Sequence, residues 1–433
     1  MSQTPAAERP RVPFDRRLAA AVQKVTANAL GPYQTAIVRI GFALTWLLFL
    51  LREWPHRLEL YGPDGPWSWE MGHRLIADNN AFTVLMWSDG RLWFEIVYGL
   101  AVLSALLLLL GWHTRAVSVV FMAGVLSLQN RSIFMGDGGD NVIHLMALYL
   151  VLTRCAQVWS LDARRAARAG GDGDGNGDGN AGTGDGGVVG PLLWVVLGGF
   201  LMAATFFSGA TGEWWLLVLL WLLWLGQGLW WLVSRYAASD EPRTLLDVVA
   251  NLTHNATLVV IMAEVCLIYA TAGWYKVQGS RWQDGTALYY PLQLDYFSPW
   301  PALSDLLGAS GLIVLLLTYG TVIVQVAFPF TLFNRKVKNV LLAAMMLEHA
   351  GIAVLLGLPF FSLAMIAADA VFLPTVFLVW AGTRVARGRD RVLGRVLGRG
   401  RGRDGARERG EAGVRVAEQG RSGDEPSPRT LVG

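Results

Sequence analysis

The sequence predicts an all-α fold, a polytopic integral membrane helical bundle with about ten transmembrane helices. Three features of the chain lead to this prediction. Hydrophobic residues make up 53% of the chain and charged residues only 16%, whereas ordinary soluble domains carry about 25% charged residues. The mean hydropathy is +0.39. The chain also contains 19 tryptophans, and indole rings collect at membrane–water interfaces.

Long apolar runs mark the predicted helices, because the hydrocarbon core of a bilayer takes roughly 20 residues of helix. They are 35–51, 92–111, 115–130, 140–153, 188–208, 213–233, 257–275, 311–333, 339–357 and 360–381. The third and fourth runs are short and interrupted by polar residues, and the ninth contains a Glu-His pair. The N-terminal segment has no apolar region typical of a signal peptide, so we expect the first run to stay in the protein.

Lysine and arginine in the short loops set the expected orientation, because such loops stay on the cytoplasmic side. With ten spans and a cytoplasmic N-terminus, nearly all basic loops fall on one side, including Arg115, Arg235 and residues 334–338. The Trp-rich segment 52–91 breaks this pattern, and we predict that it folds as an external cap. Both termini are therefore expected in the cytoplasm, and residues 52–91 and 276–310 outside.

The composition divides the chain into six segments. They are a cytoplasmic N-terminal segment (1–30), the first part of the membrane core (31–168), a flexible Gly/Asp linker (169–187), an inserted transmembrane hairpin (188–233), the second part of the core (234–382) and a disordered basic cytoplasmic tail (383–433). Residues 172–177 match the start of an EF-hand loop, but Thr183 stands where that loop needs glutamate. A flexible linker is therefore the favoured interpretation.

Ionisable residues inside the predicted spans are candidate functional groups, because charges are costly within a bilayer. Asp140 and His144 are four residues apart and could form a pair on one helix face. Later spans contain Glu264, Glu348, His349 and Asp369. Pro374 is expected to kink the last helix. Packing between helices explains each of these residues taken alone, whereas together they predict a polar cavity inside the bundle.

The seventh span ends on a lysine within the aromatic segment ATAGWYKVQGSRWQDGTALYY, residues 270–290. Tyr269, Gly273 and Lys276 are spaced i, i+4 and i+7, so they share one helix face. Gly273 allows another group to approach that face closely. One interpretation of Lys276 is a snorkelling lysine that reaches the membrane surface from a helix end. The other is a functional amine.

The segment around Lys276 resembles the vitamin K-dependent gamma-carboxylases and their bacterial relatives, the horizontally transferred transmembrane (HTTM) domain proteins. The residues that match the family pattern are Tyr269, Ala272, Gly273, Lys276, Trp282 and Gly285. WSLDA at 159–163 resembles a second family block, and 348–366 resembles a third more loosely. The resemblance covers roughly residues 33–381.

In the carboxylases the equivalent lysine deprotonates reduced vitamin K. The resemblance thus implies a quinol-dependent membrane enzyme of carboxylase or epoxidase type, with Lys276 as catalytic base at the outer membrane face and menaquinol as cofactor. The base must be a neutral amine, which an apolar and water-poor site favours. The substrate- or quinone-binding candidates are Tyr269, Gly273, Tyr275, Trp282, Trp159, Asp140, His144 and His349.

The alternative is a non-catalytic membrane protein that binds or transports a lipid, a quinone or a small solute. It is favoured by Gln157, which stands where the family carboxylases have a histidine. The expected partners are membrane lipid and a quinone, with no metal and no nucleic acid. The resemblance implies the plasma membrane of a bacterium. The inserted unit 169–233, which consists of the linker and the hairpin 188–233, is expected to be dispensable for folding of the core.

Overall fold

A computed structural model describes residues 14–79, 81–171, 188–207, 214–237, 239–389 and 391. Within these ranges the chain forms helices and contains no strand. The EF-hand-like stretch 172–177 and most of the predicted linker (169–187) and tail (383–433) lie outside the described residues.

The helices are numbered here in chain order. Those before the linker are α1 (Phe14–Ala27), α2 (Pro32–Glu53), α3 (Arg57–Tyr61), α4 (Trp69–Asn79), α5 (Arg91–Leu110), α6 (Thr114–Arg131), α7 (Gly138–Leu152) and α8 (Leu161–Gly171). Those after it are α9 (Val189–Phe207), α10 (Trp214–Tyr236), α11 (Glu241–Gln278), α12 (Ser280–Gln283), α13 (Tyr289–Leu292), α14 (Pro301–Gly308), α15 (Gly311–Ala327), α16 (Arg335–Leu355) and α17 (Pro359–Asp369). Short 3-10 turns lie at Trp54–His56, Leu85–Trp87, Ile133–Met135, Asp295–Phe297, Phe328–Thr331 and Ala370–Phe372.

The chain divides between Leu373 and Pro374 into two compact units. The first unit contains α1 to α17. The described part of the second contains the helix Thr375–Arg389, in which the Trp380 ring lies 5.8 Å from the Phe377 ring and 5.2 Å from the Arg384 guanidinium.

Seven helices of the described chain are long and apolar enough to cross a membrane, or eight if Pro359–Phe372 and Thr375–Arg389 together count as one span. The seven are α2, α5, α9, α10, α11, α15 and α16. The all-α membrane fold is thus confirmed, whereas the predicted count of ten spans is not. Three predicted spans are missing from the seven. One, 360–381, is a bent helix pair. The other two are α6 and α7, because α7 has only 15 residues and α6 ends in the polar sequence Gln-Asn-Arg.

Helix α11 differs most from its predicted span, 257–275, because it has 38 residues and begins at Glu241. Its polar first half contains Asp247, Asn251 and His254, and all three are buried. Arg154, two residues after the end of α7, donates to Oδ1 of Asp247 (3.1 Å) and of Asn251 (2.7 Å). Side chains that satisfy one another in this way let the helix continue where a hydropathy pattern predicts a loop.

The core lies between α2, α5, α6, α7 and α17, where small residues bring helices close together. A Cβ atom on Gly41 of α2 would lie 2.5 Å from that of Ala367 in α17, and one on Gly124 of α6 would lie 3.0 Å from that of Ala101 in α5. Helix α17 ends at Asp369, and Leu373 is extended (ψ 138°). An extended residue before proline is the expected conformation. Pro374 was expected to kink this helix, and the structure breaks the helix before Pro374.

The segment 52–91 is held against α6 by Arg131, whose side chain is 1% exposed. Nη2 of Arg131 donates to the carbonyl oxygens of Gly62 (3.0 Å) and Trp67 (2.7 Å), and Nε1 of Trp67 donates to the Arg131 carbonyl at 3.1 Å. Arg131 lies in the sequence between the third and fourth predicted spans, on the side where basic residues are not expected. Its contacts show that it anchors this segment and is not a free loop charge.

The hairpin α9–α10 is built on two stacked tryptophans. The rings of Trp194 and Trp224 lie 4.0 Å apart at an interplanar angle of 10°. Each indole N–H donates to the backbone carbonyl of the other residue, at 3.0 and 2.9 Å. The hairpin also contacts the rest of the first unit, because Phe200 lies 5.2 Å from Trp87 and Arg115 of α6 lies 5.2 Å from the Trp230 ring.

Candidate functional site

Lys276 lies in the last turn of α11, and its amino group points toward α15 and α16. Nζ donates to Oε1 of Gln325 at 2.7 Å, and Nε2 of Gln325 donates to Oε1 of Glu348 at 2.5 Å. Gln325 is 5% exposed, so its amide is fixed between the two ionisable side chains. Lys276 and Glu348 are therefore joined through an amide and not through a direct ion pair.

The face of α11 that carries Lys276 packs closely on α15, as the helical spacing predicts. Tyr269 is 1% exposed. A Cβ atom on Gly273 would lie 2.6 Å from Cγ2 of Val326. The absence of a side chain at Gly273 thus lets α15 approach, which brings Gln325 within reach of Lys276.

One aromatic residue near Lys276 covers its amino group and two others do not. Nζ lies 5.3 Å from the centre of the Trp282 ring, a distance suited to a cation–π contact. Trp274 and Tyr275 are 63% and 74% exposed and lie on the outer side of α11. Tyr275 was a predicted binding residue, and the structure leaves it outside the site.

The turn that carries Trp282 closes at Gly285, which has a φ of +75°. Just before it, Oδ1 of Asp284 accepts hydrogen bonds from the hydroxyl group (2.5 Å) and the backbone N–H (3.0 Å) of Thr286. The hydroxyl bond is the main reason that the pKa of Asp284 lies below its ordinary value. A glycine suits the left-handed conformation at this position, and the turn holds the indole over Lys276.

A second group of polar side chains lies deeper in the bundle. The Tyr269 hydroxyl forms a hydrogen bond of 3.0 Å with Nε2 of His349, which is 2% exposed. The same hydroxyl lies beside the carboxyl group of Asp369, which is 0% exposed. Neither oxygen of Asp369 completes a hydrogen bond in the described chain, and Nδ1 of His349 has no partner there.

Helix α16 connects the two groups, because Glu348 and His349 are adjacent in sequence. We call the six side chains the Lys276 cluster: Lys276, Gln325, Glu348, His349, Tyr269 and Asp369. Tyr269 precedes Lys276 by seven residues, about 10 Å along the helix axis, so the cluster extends from the end of α11 into the bundle. Ionisable groups at this density within membrane helices mark a functional site.

Aromatic rings enclose the deeper half of the Lys276 cluster. The Phe328 ring lies 5.9 Å from that of Tyr269, and the Phe361 ring lies 5.6 Å from the His349 imidazole. Phe372 packs against Phe328 at 5.2 Å. These rings give the polar groups an apolar surrounding with flat surfaces.

Asp140 and His144 do not form the pair that their spacing allows. Asp140 belongs to a capping box at the start of α7, where its Oδ2 accepts the backbone N–H of Asp137 at 2.7 Å. Nδ1 of His144 lies 3.2 Å from Oε1 of Gln129 in α6. A capping residue is already committed to the backbone, so both side chains have local partners outside the Lys276 cluster.

Trp159 also lies outside the Lys276 cluster, because it belongs to a structural junction around Arg39. Arg39 is 0% exposed. Its guanidinium donates to the carbonyl oxygens of Cys155 (3.2 Å), Leu109 (2.9 Å) and Trp159 (2.8 Å). Trp159 has a φ of +53°, an unfavourable conformation for a bulky residue that here accompanies the bond from its carbonyl to Arg39.

The aspartate of the WSLDA block caps another helix. Its oxygens accept the backbone N–H groups of His113 (2.9 Å) and Thr114 (2.8 Å) and the Thr114 hydroxyl (2.7 Å). These are the first N–H groups of α6, which a carboxylate satisfies well. Asp162 therefore joins α8 to α6, and this block of sequence has a structural role here.

Gln325 was not among the residues selected from the sequence. The only indication in the sequence was one amide side chain in α15, a helix without charged residues. Because an amide is uncharged, it does not stand out as a costly group within a membrane helix. Arg39 was also not selected, because a single arginine near the start of the first predicted span is usually interpreted as a residue near the membrane surface.

Comparison of the chain with protein-family models, with curated proteins and with solved structures finds no significant match. The function is therefore argued from the site itself.

Proposed function

We propose that this protein is a quinol-binding integral membrane enzyme in which Lys276 is the general base. The observation that supports this most strongly is the direction of the Lys276 side chain. A snorkelling lysine extends toward water, whereas Nζ of Lys276 turns inward to Gln325 at 2.7 Å. The amine is thus fixed beside an aromatic ring at the end of a membrane helix, where a lipid-dissolved quinol can reach it.

The side chains around Lys276 suit a menaquinol-type ligand. A quinol has two hydroxyl groups, which need acceptors, and a flat ring. Nδ1 of His349 and both oxygens of Asp369 are buried polar atoms without hydrogen-bond partners in the described chain. Trp282, Phe328 and Phe361 provide flat apolar surfaces on which such a ring can stack. A bound quinol would supply the redox chemistry.

Side chains of this protein accept the hydroxyl proton and stabilise the resulting charge. As a neutral amine, Lys276 accepts a hydroxyl proton and becomes an ammonium group. The Glu348 carboxylate then stabilises the new charge from the far side of Gln325. Because the amide separates them, the resting amine is not held as an ammonium by a direct ion pair. Trp282 shields the amine from water, which favours its uncharged form.

Quinone binding can be measured directly on protein purified into lipid nanodiscs. We expect wild type to retain menaquinone, detected by mass spectrometry, and to bind added menaquinol. Lys276→Ala should bind about tenfold more weakly, the loss expected for one hydrogen bond between the neutral amine and a quinol hydroxyl. The control is Lys336→Ala, since Lys336 is an exposed lysine at the start of α16. Absence of quinone from wild type, or equal binding by all three proteins, would contradict the proposal.

A second candidate is a non-catalytic protein that binds or moves a lipid, a quinone or a small solute. Glu348 supports this reading, because a carboxylate one amide away from Lys276 also favours the charged ammonium form, which cannot act as a base. A protein that binds quinol with unchanged affinity in the presence of oxygen, but never yields a product, would support this candidate over the enzyme.

A further inference from the structure

Helix α1 has an apolar stripe that the described chain leaves uncovered. Phe14, Leu18 and Val22 follow one another at intervals of four residues, so they lie on one face of the helix. These residues are 79%, 54% and 52% exposed, and no residue of α1 is buried in the described chain. A helix of 14 residues is only marginally stable in water unless its apolar face packs against a partner. The stripe therefore needs a cover that the described residues do not provide.

Exposed basic side chains accompany this stripe. Arg17 and Lys24 are seven residues apart, so they share one edge of α1 beside the apolar stripe. Arg16 adds a third positive charge, and Asp15 is the one acidic residue of the helix. All three basic residues are exposed. An apolar stripe with Phe and Leu, combined with Lys and Arg on the rest of the helix, is typical of helices that lie in the surface of a membrane.

The position of α1 in the chain keeps it at a membrane surface. Only residues 28–31 separate α1 from α2, which is long and apolar enough to cross a bilayer. A connection of this length reaches no further than about 18 Å. Helix α1 therefore stays near the surface at which α2 enters the membrane.

Helix α11 fixes the C-terminal end of α1. Nδ2 of Asn251 donates to the Thr26 carbonyl oxygen at 3.0 Å. Nδ2 of Asn255 donates to the carbonyl oxygens of Val25 and Asn28, both at 2.9 Å. The last carbonyl groups of a helix have no partner within it, so these amides complete the end of α1. Because the bonds use the backbone of α1, they leave the side chains of its apolar stripe free.

Further basic residues lie near the start of α2. The ring of Tyr33, in the first turn of α2, lies 5.3 Å from that of Trp159. Helix α8 begins two residues after Trp159 and carries Arg164 and Arg168, which are both exposed. The membrane surface next to α1 is therefore basic beyond α1 itself, which favours a negatively charged partner.

We propose that α1 is a surface anchor for anionic phospholipid. Phe14, Leu18 and Val22 insert among the lipids of the leaflet at which α2 begins, and Arg17 and Lys24 bind lipid phosphate groups there. Burial of the apolar stripe holds the helix in the interface, and each basic residue adds attraction to a negatively charged leaflet. The anchor does not depend on the proposed quinol chemistry.

Fluorescence quenching in nanodiscs that hold one copy of the full-length protein tests the insertion of α1. With Cys155 and Cys266 replaced by alanine, a fluorescent probe is attached at Leu18→Cys or at the control Ala20→Cys. Ala20 is also exposed but lies on the opposite side of the helix, about 200° from Leu18. In discs of phosphatidylglycerol and phosphatidylcholine in equal parts, nitroxide-labelled lipid should quench the Leu18→Cys probe several-fold more strongly than the control.

Equal quenching of the two probes, or no quenching of either, would overturn the insertion. A Leu18→Cys probe with the blue-shifted emission of an apolar site, but without quenching by nitroxide lipid, would show that protein covers the stripe. That result would also overturn the proposal.

Removal of the two basic residues tests the anionic partner. In discs with phosphatidylglycerol, Arg17→Gln combined with Lys24→Gln should lower the ratio of inserted to free α1 about fivefold for each charge removed. The charge-preserving control, Arg17→Lys with Lys24→Arg, should behave as wild type. In pure phosphatidylcholine the glutamine variant should match wild type. Equal insertion of wild type in both lipid compositions, or no loss in the glutamine variant, would overturn the assignment of anionic phospholipid.

Discussion

At the scale of single residues, Gln325 lies between the candidate base and Glu348. Its amide oxygen faces Lys276 and its amide nitrogen faces Glu348, so it holds both groups and keeps them apart. A carboxylate in its place would form a direct ion pair with Lys276 and keep the amine protonated.

We therefore predict that Gln325→Glu binds menaquinol but loses about 100-fold in turnover, since a general base contributes on this order. The control is Gln278→Glu, which places the same charge at an exposed position in the last residue of α11. Kinetics at several pH values provide the measurement. Wild-type turnover in Gln325→Glu would show that the separation of Lys276 from Glu348 has no role.

Some residues of the site could be predicted from the sequence and others could not, for a physical reason. Tyr269, Gly273 and Lys276 follow from the period of one helix. The bonds from Lys276 to Gln325 and from Tyr269 to His349 join different helices, and no spacing along the chain encodes them. Asp140 and His144 had the right spacing for a pair, but the backbone N–H groups at the start of α7 compete for the Asp140 carboxylate.

At the scale of helices, the contact between α11 and α15 controls the geometry of the site. We predict that Gly273→Ala destabilises the protein by about 1–3 kcal/mol, the usual cost of overpacking, because the new methyl group would meet Val326 at 2.6 Å. The control is Gly320→Ala in α15, where no atom lies within 4 Å of the added carbon. Thermal unfolding in detergent measures both. Equal melting temperatures for wild type and Gly273→Ala would contradict the close approach of α15.

The hairpin α9–α10 gives a second prediction at this scale. Trp194 stacks on Trp224 within the hairpin, so deletion of the hairpin removes a complete helix pair. The hairpin packs on the rest of the first unit through Trp87, Arg115 and Arg154, and Leu201, Leu216 and Leu220 belong to the core. Deletion of residues 169–233 should therefore leave a chain that inserts into the membrane and melts at a lower temperature. Fractionation and thermal unfolding measure the two effects. A deletion variant that no longer inserts would make the hairpin part of the core.

The helices themselves were largely predictable, since apolar runs of sufficient length leave few alternatives in a bilayer. The start of α11 was not predictable, because Asp247, Asn251 and His254 are typical loop residues. Their partner Arg154, which follows α7, becomes apparent only in the structure. The structural role of the WSLDA block could not be predicted either. It depends on hydrogen bonds that Arg39 and Asp162 make to residues far from them in sequence, in α5, in α6 and just before α8.

At the scale of the whole molecule, the proposed site requires a defined orientation in the membrane. We predict that residue 280 is outside and residue 422 is cytoplasmic, because this places nearly all short-loop basic residues inside. In a variant with Cys155 and Cys266 replaced by alanine, an impermeant thiol reagent should label Ser280→Cys in intact cells and Ser422→Cys only after lysis. Ser280 is exposed, and Ser422 lies outside the described residues. Labelling of both positions from one side would contradict the outer placement of Lys276.

The central claim is that Lys276 acts as a base and does not merely anchor a helix end, and the reaction of menaquinol with oxygen tests it most directly. Mass spectrometry of the quinone products from protein in nanodiscs should show oxygen-dependent epoxide with wild type and with Lys336→Ala. Lys276→Arg should give none, because a guanidinium group is not deprotonated in proteins, although arginine satisfies the needs of a snorkelling or anchoring residue. Epoxide formation by Lys276→Arg at the wild-type rate, or its absence from wild type, would contradict the claim.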